Sequence, residues 1–326
     1  MMVRYKILEI LKEQTGFISG SSIGEKLNIS RAAVAKHIDV LREEGYEISS
    51  IQNRGHRFIA EGDILNPNEV DKALTTKFIG REIFSQRQVK STNDLLKRHA
   101  EKGCKDGALC ICEEQRLGRG RRGRSWTLEP KAGIAFSIVL RPDFAPELAP
   151  NLTLLMGLAV NKALRTLCGA ESMIKWPNDI IINGKKVCGI LVEMITEERD
   201  IKYVICGVGI NVSNKEFPDD LKNIATSIYI ETGKTFLRKD VLAAVLNNFE
   251  ELYIAYCESG SFAPFLEEYK ADCINIGREL KAVYDNKEII AVGEDIAADG
   301  SLIVRQNDGS LLTLRSGEVS VRGVFQ

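Results

Sequence analysis

Residues 116–140 read RLGRGRRGRSWTLEPKAGIAFSIVL, and the residues after the third glycine decide the fold of this chain. Five arginines and three glycines fall in the first nine positions, and Gly118, Gly120 and Gly123 satisfy a GxGxxG spacing. In a dinucleotide-binding βαβ unit the third glycine opens a helix, whose N-terminus meets the pyrophosphate. Here Gly123 leads instead to a proline, a glycine and a strand-like run, so the doubly wound nucleotide fold fails on context. Arginines this dense repel one another and cannot be buried unpaired, while glycines let a backbone come close to a ligand. The segment reads as a mobile clamp that orders around an anion.

Outward from the clamp the sequence predicts mainly strands. IFSQRQVKSTNDLLKRHA reads as a strand and then a helix, GALCICEEQ and GIAFSIVLRP as strands flanking the clamp, and Leu152 to Leu167 as a long apolar helix. MIKWPNDIIING and KKVCGILVEMI read as paired strands turned at Asn183-Gly184, and YVICGVGINV as another strand. Hairpins prevail over βαβ spacing, which predicts a mixed, largely antiparallel sheet with helices on one side. Helical runs from Val241 to Tyr256 and Phe262 to Cys273 come next. Turn signals at Asp285-Asn286, Asp299-Gly300, Asp308-Gly309 and Ser316-Gly317 then divide the tail into about five short strands, the pattern of a small β-barrel.

The N-terminal residues have a different period. Ile7, Leu8, Ile10 and Leu11 share a helical face, a second short helix spans Ser21 to Leu27, and Ser30 caps a third, SRAAVAKHIDVLREEG, closed by Gly45. Val34, Ile38 and Leu41 form its buried stripe. Ser30, Arg31, Ala32, Ala35 and Lys36 remain at the N-terminal, outward side, where small and basic residues suit a major groove. YEISSIQNRGHRFIA adds a hairpin whose Arg54, His56 and Arg57 are placed to meet phosphates as a wing. With nine Lys/Arg against nine Asp/Glu in residues 1–63, this unit has no general attraction to DNA, so binding calls for two copies on a two-fold operator. The other reading is a small α+β interaction module.

Composition narrows the class. Over 326 residues the formal net charge is −1, with 44% hydrophobic and 27% charged residues, so anion binding must come from local patches. An amphipathic N-terminus and the lack of a long apolar run point to a cytoplasmic protein with no membrane partner. None of the eight cysteines forms CxxC, and the three histidines are scattered, which argues for structural thiols and no protein-held metal site.

Five polar constellations interrupt the apolar strands. Ser91-Thr92-Asn93 stands where a strand yields to a helix, Gln115 ends a strand before the clamp, and Lys175-Trp176-Pro177-Asn178-Asp179 sets a lysine, an indole and a carboxylate around a proline. Lys186 and Glu193 bracket an apolar strand, and Asn211 ends another. In this order and spacing, STN, EEQRLGRGRRGRSW, KWPND, KKVCGILVE and GVGIN resemble biotin protein ligases. Preceded by SRAAVAKHI, the chain is similar over nearly its full length to the family that combines biotin ligation with repression of biotin genes.

The resemblance implies an α+β multidomain protein: a winged helix-turn-helix over 1–63, a class II synthetase-like ligase domain over 68–273, and an SH3-like barrel over 274–326. It implies that ATP, Mg²⁺ and biotin give biotinyl-5′-AMP, which is both intermediate and corepressor. Biotin carboxyl carrier protein or another biotin-accepting domain, operator DNA and a second copy of the chain are the implied partners. By resemblance, Lys186 bridges the biotin carboxylate and the α-phosphate, while Arg119, Arg121 and Arg124 wrap the ligand. Ser91, Thr92, Asn93, Gln115 and the backbone at Arg119 and Gly120 hold the biotin ring; Lys175, Asn178 and Asn211 belong to the nucleotide side. Asp179 orients or deprotonates the acceptor lysine. Trp126 either stacks on adenine or is a core tryptophan. Two other functions remain open: a ligand-sensing transcription factor with a degenerate ligase domain, and a ligase for lipoate or octanoate.

Overall fold

A computed structural model describes residues 3–60, 62–284, 287–315 and 319–321. The expected turns at Asp285-Asn286 and Ser316-Gly317, and both ends of the expected domain layout, lie outside these residues. The chain divides into two compact units, Met1–Asn66 and Pro67–Gln326.

The first unit contains α1 (Val3–Lys12), α2 (Gly20–Leu27), α3 (Arg31–Glu44), β1 (Glu47–Ile51) and β2 (Gly55–Ala60). Ile7, Leu8, Leu11, Ile23, Val34, Ile38 and Leu41 are fully buried against one another, because their three-and-four spacing turns one face of each helix inward. Ser30 Oγ accepts from Ala33 N at 3.1 Å and starts α3; Gly45, at φ 109°, ends it. The turn between α2 and α3 is tight: a Cβ on Gly24 would lie 2.5 Å from the Ile29 carbonyl oxygen. β1 and β2 form the expected antiparallel hairpin.

The second unit begins with α4 (Pro67–Ala73), β3 (Ile83–Val89), α5 (Thr92–Glu101), β4 (Leu109–Arg119), β5 (Ser125–Leu128), β6 (Gly133–Leu140) and α6 (Asn151–Cys168). It continues through β7 (Ser172–Lys175), β8 (Asp179–Ile182), β9 (Lys185–Glu197), β10 (Asp200–Asn211), α7 (Ile228–Thr232), α8 (Arg238–Ser259) and α9 (Leu266–Asp272). The main sheet has the order β3-β4-β6-β10-β9-β8-β7, with β5 on β4; only β3 and β4 run parallel.

Helices cover both faces of this sheet, which corrects the expectation of one. Leu95, Leu96 and Ala100 of α5 pack with Ala135, Val139 and Ile205. On the other face, Gly157 of α6 lies 3.8–4.0 Å, measured from its ideal Cβ, from Ile174, Ile180 and Ile190. Because β9 and β10 pair Glu193 with Ile205 and Ile190 with Val208, the two-residue period puts Ile190 and Ile205 on opposite faces. Burial on both sides leaves β6 without polar residues except Ser137, so alternation could not reveal its second face.

Two further expectations are revised. MIKWPNDIIING is two strands, β7 and β8, folded back at a cis Trp176-Pro177 bond. The clamp is not a loop throughout: β4 runs on to Arg119, a 3₁₀ turn spans Arg121–Gly123, and β5 returns with Gly118 opposite Trp126. The tail forms an antiparallel sheet of β11 (Glu279–Tyr284), β12 (Lys287–Ile296), β13 (Leu302–Gln306), β14 (Leu311–Leu314) and β15 (Val319–Val321), in the order β14-β13-β12-β11-β15.

Candidate active site

Three glycines clear space on the α5 face of the main sheet. Gly189 pairs with Gly209 on adjacent strands, and Gly207 stands two residues before Gly209 on the same face. A Cβ at Gly209 would lie 2.3 Å from the Trp126 indole, one at Gly207 2.1 Å from the Asn93 amide, and one at Gly189 3.0 Å from Lys186 Nζ. Side chains from the arginine hairpin, α5 and β9 can therefore approach the sheet backbone only because these positions lack a Cβ. Above this floor lies a cavity of about 1200 Å³, larger than the roughly 300–1,000 Å³ typical of a pocket for one small molecule.

Every residue expected on the ligand lines this cavity. The parallel pairing of Val89 with Gln115 sets the middle of β4 beside the start of α5, where Gln115 Oε1 accepts the Thr92 N–H at 2.9 Å. Ser91, Thr92, Asn93 and Gln115 line one end of the cavity, all but buried. Ser91 makes no side-chain cap bond to its helix. Arg119, Gly120, Arg121, Arg124 and Trp126 come from the hairpin, and Lys175, Asn178, Asp179, Lys186 and Asn211 from the β7 to β10 side. Arg121 Nη1 donates to Asn178 Oδ1 at 3.2 Å, and Asn178 Nδ2 to the Ile190 carbonyl at 3.0 Å. Arg119 is paired with Asp94. Asn211 Nδ2 donates to the Thr226 carbonyl at 3.0 Å.

The cationic centre is compact. Lys186 Nζ sits 2.6 Å from Asp179 Oδ1 and 5.5 Å from the centre of the Trp126 ring, a cation–π distance. Asp179 is thus tied to Lys186, and serving as base for an acceptor amine would compete with that pair. The two tryptophans part company. Trp176 is buried and donates to the Gly300 carbonyl at 3.0 Å, so it anchors β7 to the C-terminal sheet. Trp126 lies half-buried over the glycine floor, and its Nε1 has no protein partner among the described residues.

Burial pushes the Lys175 ammonium down to about 8, with Lys186 and Arg124 pushing the same way and Asp179 opposing. The Lys175 charge is therefore present below about pH 8 and lost above it. ATP affinity should weaken between about pH 7 and 9, and Lys175→Gln should flatten that profile; the same slope in both proteins would count against Lys175. The sign for stability is opposite: the folded lysine releases its proton first, so the fold's deficit at that residue is full below about 8 and has vanished above the ordinary 10.5. Between those values stability shifts with proton uptake by the unfolded chain, in favour of the fold as pH rises.

Sequence reasoning missed the glycine floor, the wholly buried Ser137 beneath Thr92 and Asn93, and the wall formed by Asn214, Glu216 and Asp220. Gly207 and Gly209, two apart in a strand, were the available signal for the floor. The 214–220 stretch has no period from which a wall could be read. Among the described residues no group of three His, Cys, Asp or Glu is placed to hold a metal ion.

In the first unit, Arg31, Ala32, Ala35 and Lys36 are exposed on α3, while the Ser30 hydroxyl is used in capping. Arg54 and Arg57 are exposed with guanidinium carbons 5.3 and 5.1 Å from the Phe17 ring. His56 departs from them. Its Nδ1 meets Ser50 Oγ at 2.6 Å, and burial, then Arg42 and Arg31, push its pKa down. A wing histidine was expected to meet phosphate, which favours the charged form; this one is held towards neutrality.

The match to known families falls where these features lie. Residues 84–211 match the biotin/lipoate A/B protein ligase family, residues 3–57 an HTH domain and residues 276–322 the biotin protein ligase C-terminal domain. The class is therefore a ligase carrying a DNA-binding domain. The bifunctional ligase/repressor BirA of Bacillus spizizenii is 36% identical over 94% of this chain and 95% of its own length; that of Escherichia coli is 32% identical over 94% and 93%. A biotin protein ligase from Aquifex aeolicus, solved with biotin and ATP, covers 74% of this chain and 99% of its own, with 31% identity and a TM-score of 0.65. The chain belongs to the bifunctional ligase/repressor BirA family.

Proposed function

We propose that the chain joins biotin to ATP as biotinyl-5′-AMP, transfers biotin to a lysine of a biotin carboxyl carrier protein or similar acceptor domain, and represses biotin genes as a ligand-bound dimer. The observation that carries the ligase reading is Lys186 beside Trp126 and Asp179 in a cavity lined by an arginine hairpin. A carboxylate oxygen of biotin attacks the α-phosphorus of ATP, and the bond to pyrophosphate breaks. Two anions must meet, so cations fixed where they join lower the barrier. Lys186 takes that position between carboxylate and α-phosphate, with Arg119, Arg121, Arg124 and Lys175 around the phosphates and Trp126 against the adenine. In the second step the acceptor amine attacks the acyl carbon and AMP leaves with the bonding pair. Asp179 directs Lys186 in the first step and orients the amine in the second. Among the described residues the side chains do not make a magnesium cage, so Mg²⁺ would travel with the ATP phosphates and water, as is usual for this ion.

Residues 1–63 serve as the DNA-binding domain, 68–273 as the ligase and 274–326 as a C-terminal support, in the cytoplasm. Ser30, Arg31, Ala32, Ala35 and Lys36 of α3, with Arg54 and Arg57 of the wing, face the operator. Coupling runs through assembly: a ligand that favours the dimer holds two reading helices on one operator.

Incubation with ATP, Mg²⁺ and labelled biotin or lipoate separates the alternatives. Biotinyl-adenylate, and labelling of an acceptor domain, is the expected result; lipoyl-adenylate alone, or no adenylate, would overturn the reading. Gel-shift titration on DNA upstream of biotin genes should show affinity raised about tenfold or more by biotin with ATP. Binding indifferent to both ligands would remove the repressor role.

A further inference from the structure

We propose that Glu193 is a positioning residue for the ureido end of the cavity: acting through Asn93 and Ser137, it keeps Thr92 Oγ1 and Gln115 Oε1 as a proton-free pair of acceptors for a ligand N–H. The inference rests on the biotin reading and deepens it.

The contacts form one chain. Lys97 Nζ donates to Glu193 Oε1 at 2.7 Å, and Asn93 Nδ2 to Glu193 Oε2 at 2.6 Å. Ser137 Oγ, wholly buried, lies 2.6 Å from Asn93 Oδ1 and 2.8 Å from Thr92 Oγ1. Thr92 Oγ1 is in turn 3.2 Å from Gln115 Oε1, which already accepts the Thr92 N–H. Thr92, Asn93 and Gln115 all line the cavity.

Counting protons fixes the direction of each bond. Burial pushes the Glu193 carboxyl up, but the bonds from Lys97 and Asn93 and the charge of Arg119 outweigh it and hold the carboxyl below its ordinary value. An ionised carboxylate only accepts. Asn93 must therefore turn Nδ2 to Glu193, which leaves Oδ1 towards Ser137. An amide oxygen also only accepts, so the single Ser137 proton goes to Asn93. The 2.8 Å contact between Ser137 and Thr92 then needs the Thr92 proton. Nothing remains to fill the longer 3.2 Å approach of Thr92 Oγ1 to Gln115 Oε1, and two acceptors are left side by side. A ureido N–H supplies the missing proton. Asn93, expected on the ligand directly, has Nδ2 on Glu193 and Oδ1 on Ser137 and so also acts behind Thr92.

Glu193→Gln removes the constraint while keeping the shape. A glutamine amide can donate to Asn93 Oδ1; Asn93 then donates to Ser137, Ser137 to Thr92, and Thr92 to Gln115, so the ligand finds the gap already filled. Biotin affinity of the full-length protein, measured by titration calorimetry, should fall about tenfold, the factor carried by one misdirected hydrogen bond. The ATP KM should stay unchanged. Combining it with Asn93→Asp restores the direction, because a carboxylate at that position accepts from the new amide on one side and from Ser137 on the other. The double variant N93D/E193Q should therefore return to within about threefold of wild type. A purely structural role would not give such a rescue. Wild-type affinity in Glu193→Gln, or a double variant as weak as the single, would overturn the relay alone. Failure of the wild-type chain to bind biotin would overturn the ligase reading and the relay with it.

Discussion

Lys186→Ala slows formation of biotinyl-5′-AMP by about a thousandfold, the scale on which removing one preorganised group from a developing charge acts. The proposed function puts the ammonium where carboxylate and α-phosphate meet, and Asp179 at 2.6 Å and the Trp126 face at 5.5 Å steer it. Water entering an alanine cavity could not replace it, since solvent must reorganise around the forming charge whereas a tethered ammonium is already in place. The substitution also leaves Asp179 facing anionic substrates without its partner, so repulsion adds to the lost attraction. Pyrophosphate release by the full-length protein is the measurement, with circular dichroism to show that the fold persists. A rate within about tenfold of wild type would remove Lys186 from the centre of the reaction.

Arg121→Ala acts later. Its guanidinium reaches from the hairpin to Asn178 Oδ1 at 3.2 Å, and so holds the arginine turn against the opposite wall of the cavity. A charge-assisted hydrogen bond contributes ~1.5–3 kcal/mol, and the same group would meet the adenylate phosphate. Escape of preformed adenylate, followed by chase with unlabelled biotin and ATP, should therefore quicken by about 10- to 100-fold, with a smaller change in the rate of its formation. The mixed anhydride should also hydrolyse faster, because an unfastened hairpin admits water. An adenylate that stays bound as long as in wild type would show that Arg121 does not guard it.

Much of the site was legible because it is written in short local motifs. STN, the arginine run, KWPND and Lys186 identified residues that all line one cavity. Which of them touch one another did not show. Asn93 bonds Glu193 and Ser137, residues 100 and 44 positions away in the chain. His56 likewise meets Ser50 through Nδ1 across the hairpin.

The chain by itself determined its elements and its chemistry. Helical periods, the Ser30 cap, the Gly45 stop and the Asn183-Gly184 turn depend on residues close in sequence, and the density of arginine after Gly118 announces an anion wherever the segment lies. The tertiary structure alone decided the rest. It placed Gly189, Gly207 and Gly209 under one cavity, set Trp126 over Gly209 and tied Trp176 to Gly300, and covered the sheet on both faces. The physical reason is register: contacts across a sheet depend on how distant strands align, and a shift of one residue would turn each of these side chains to the opposite face.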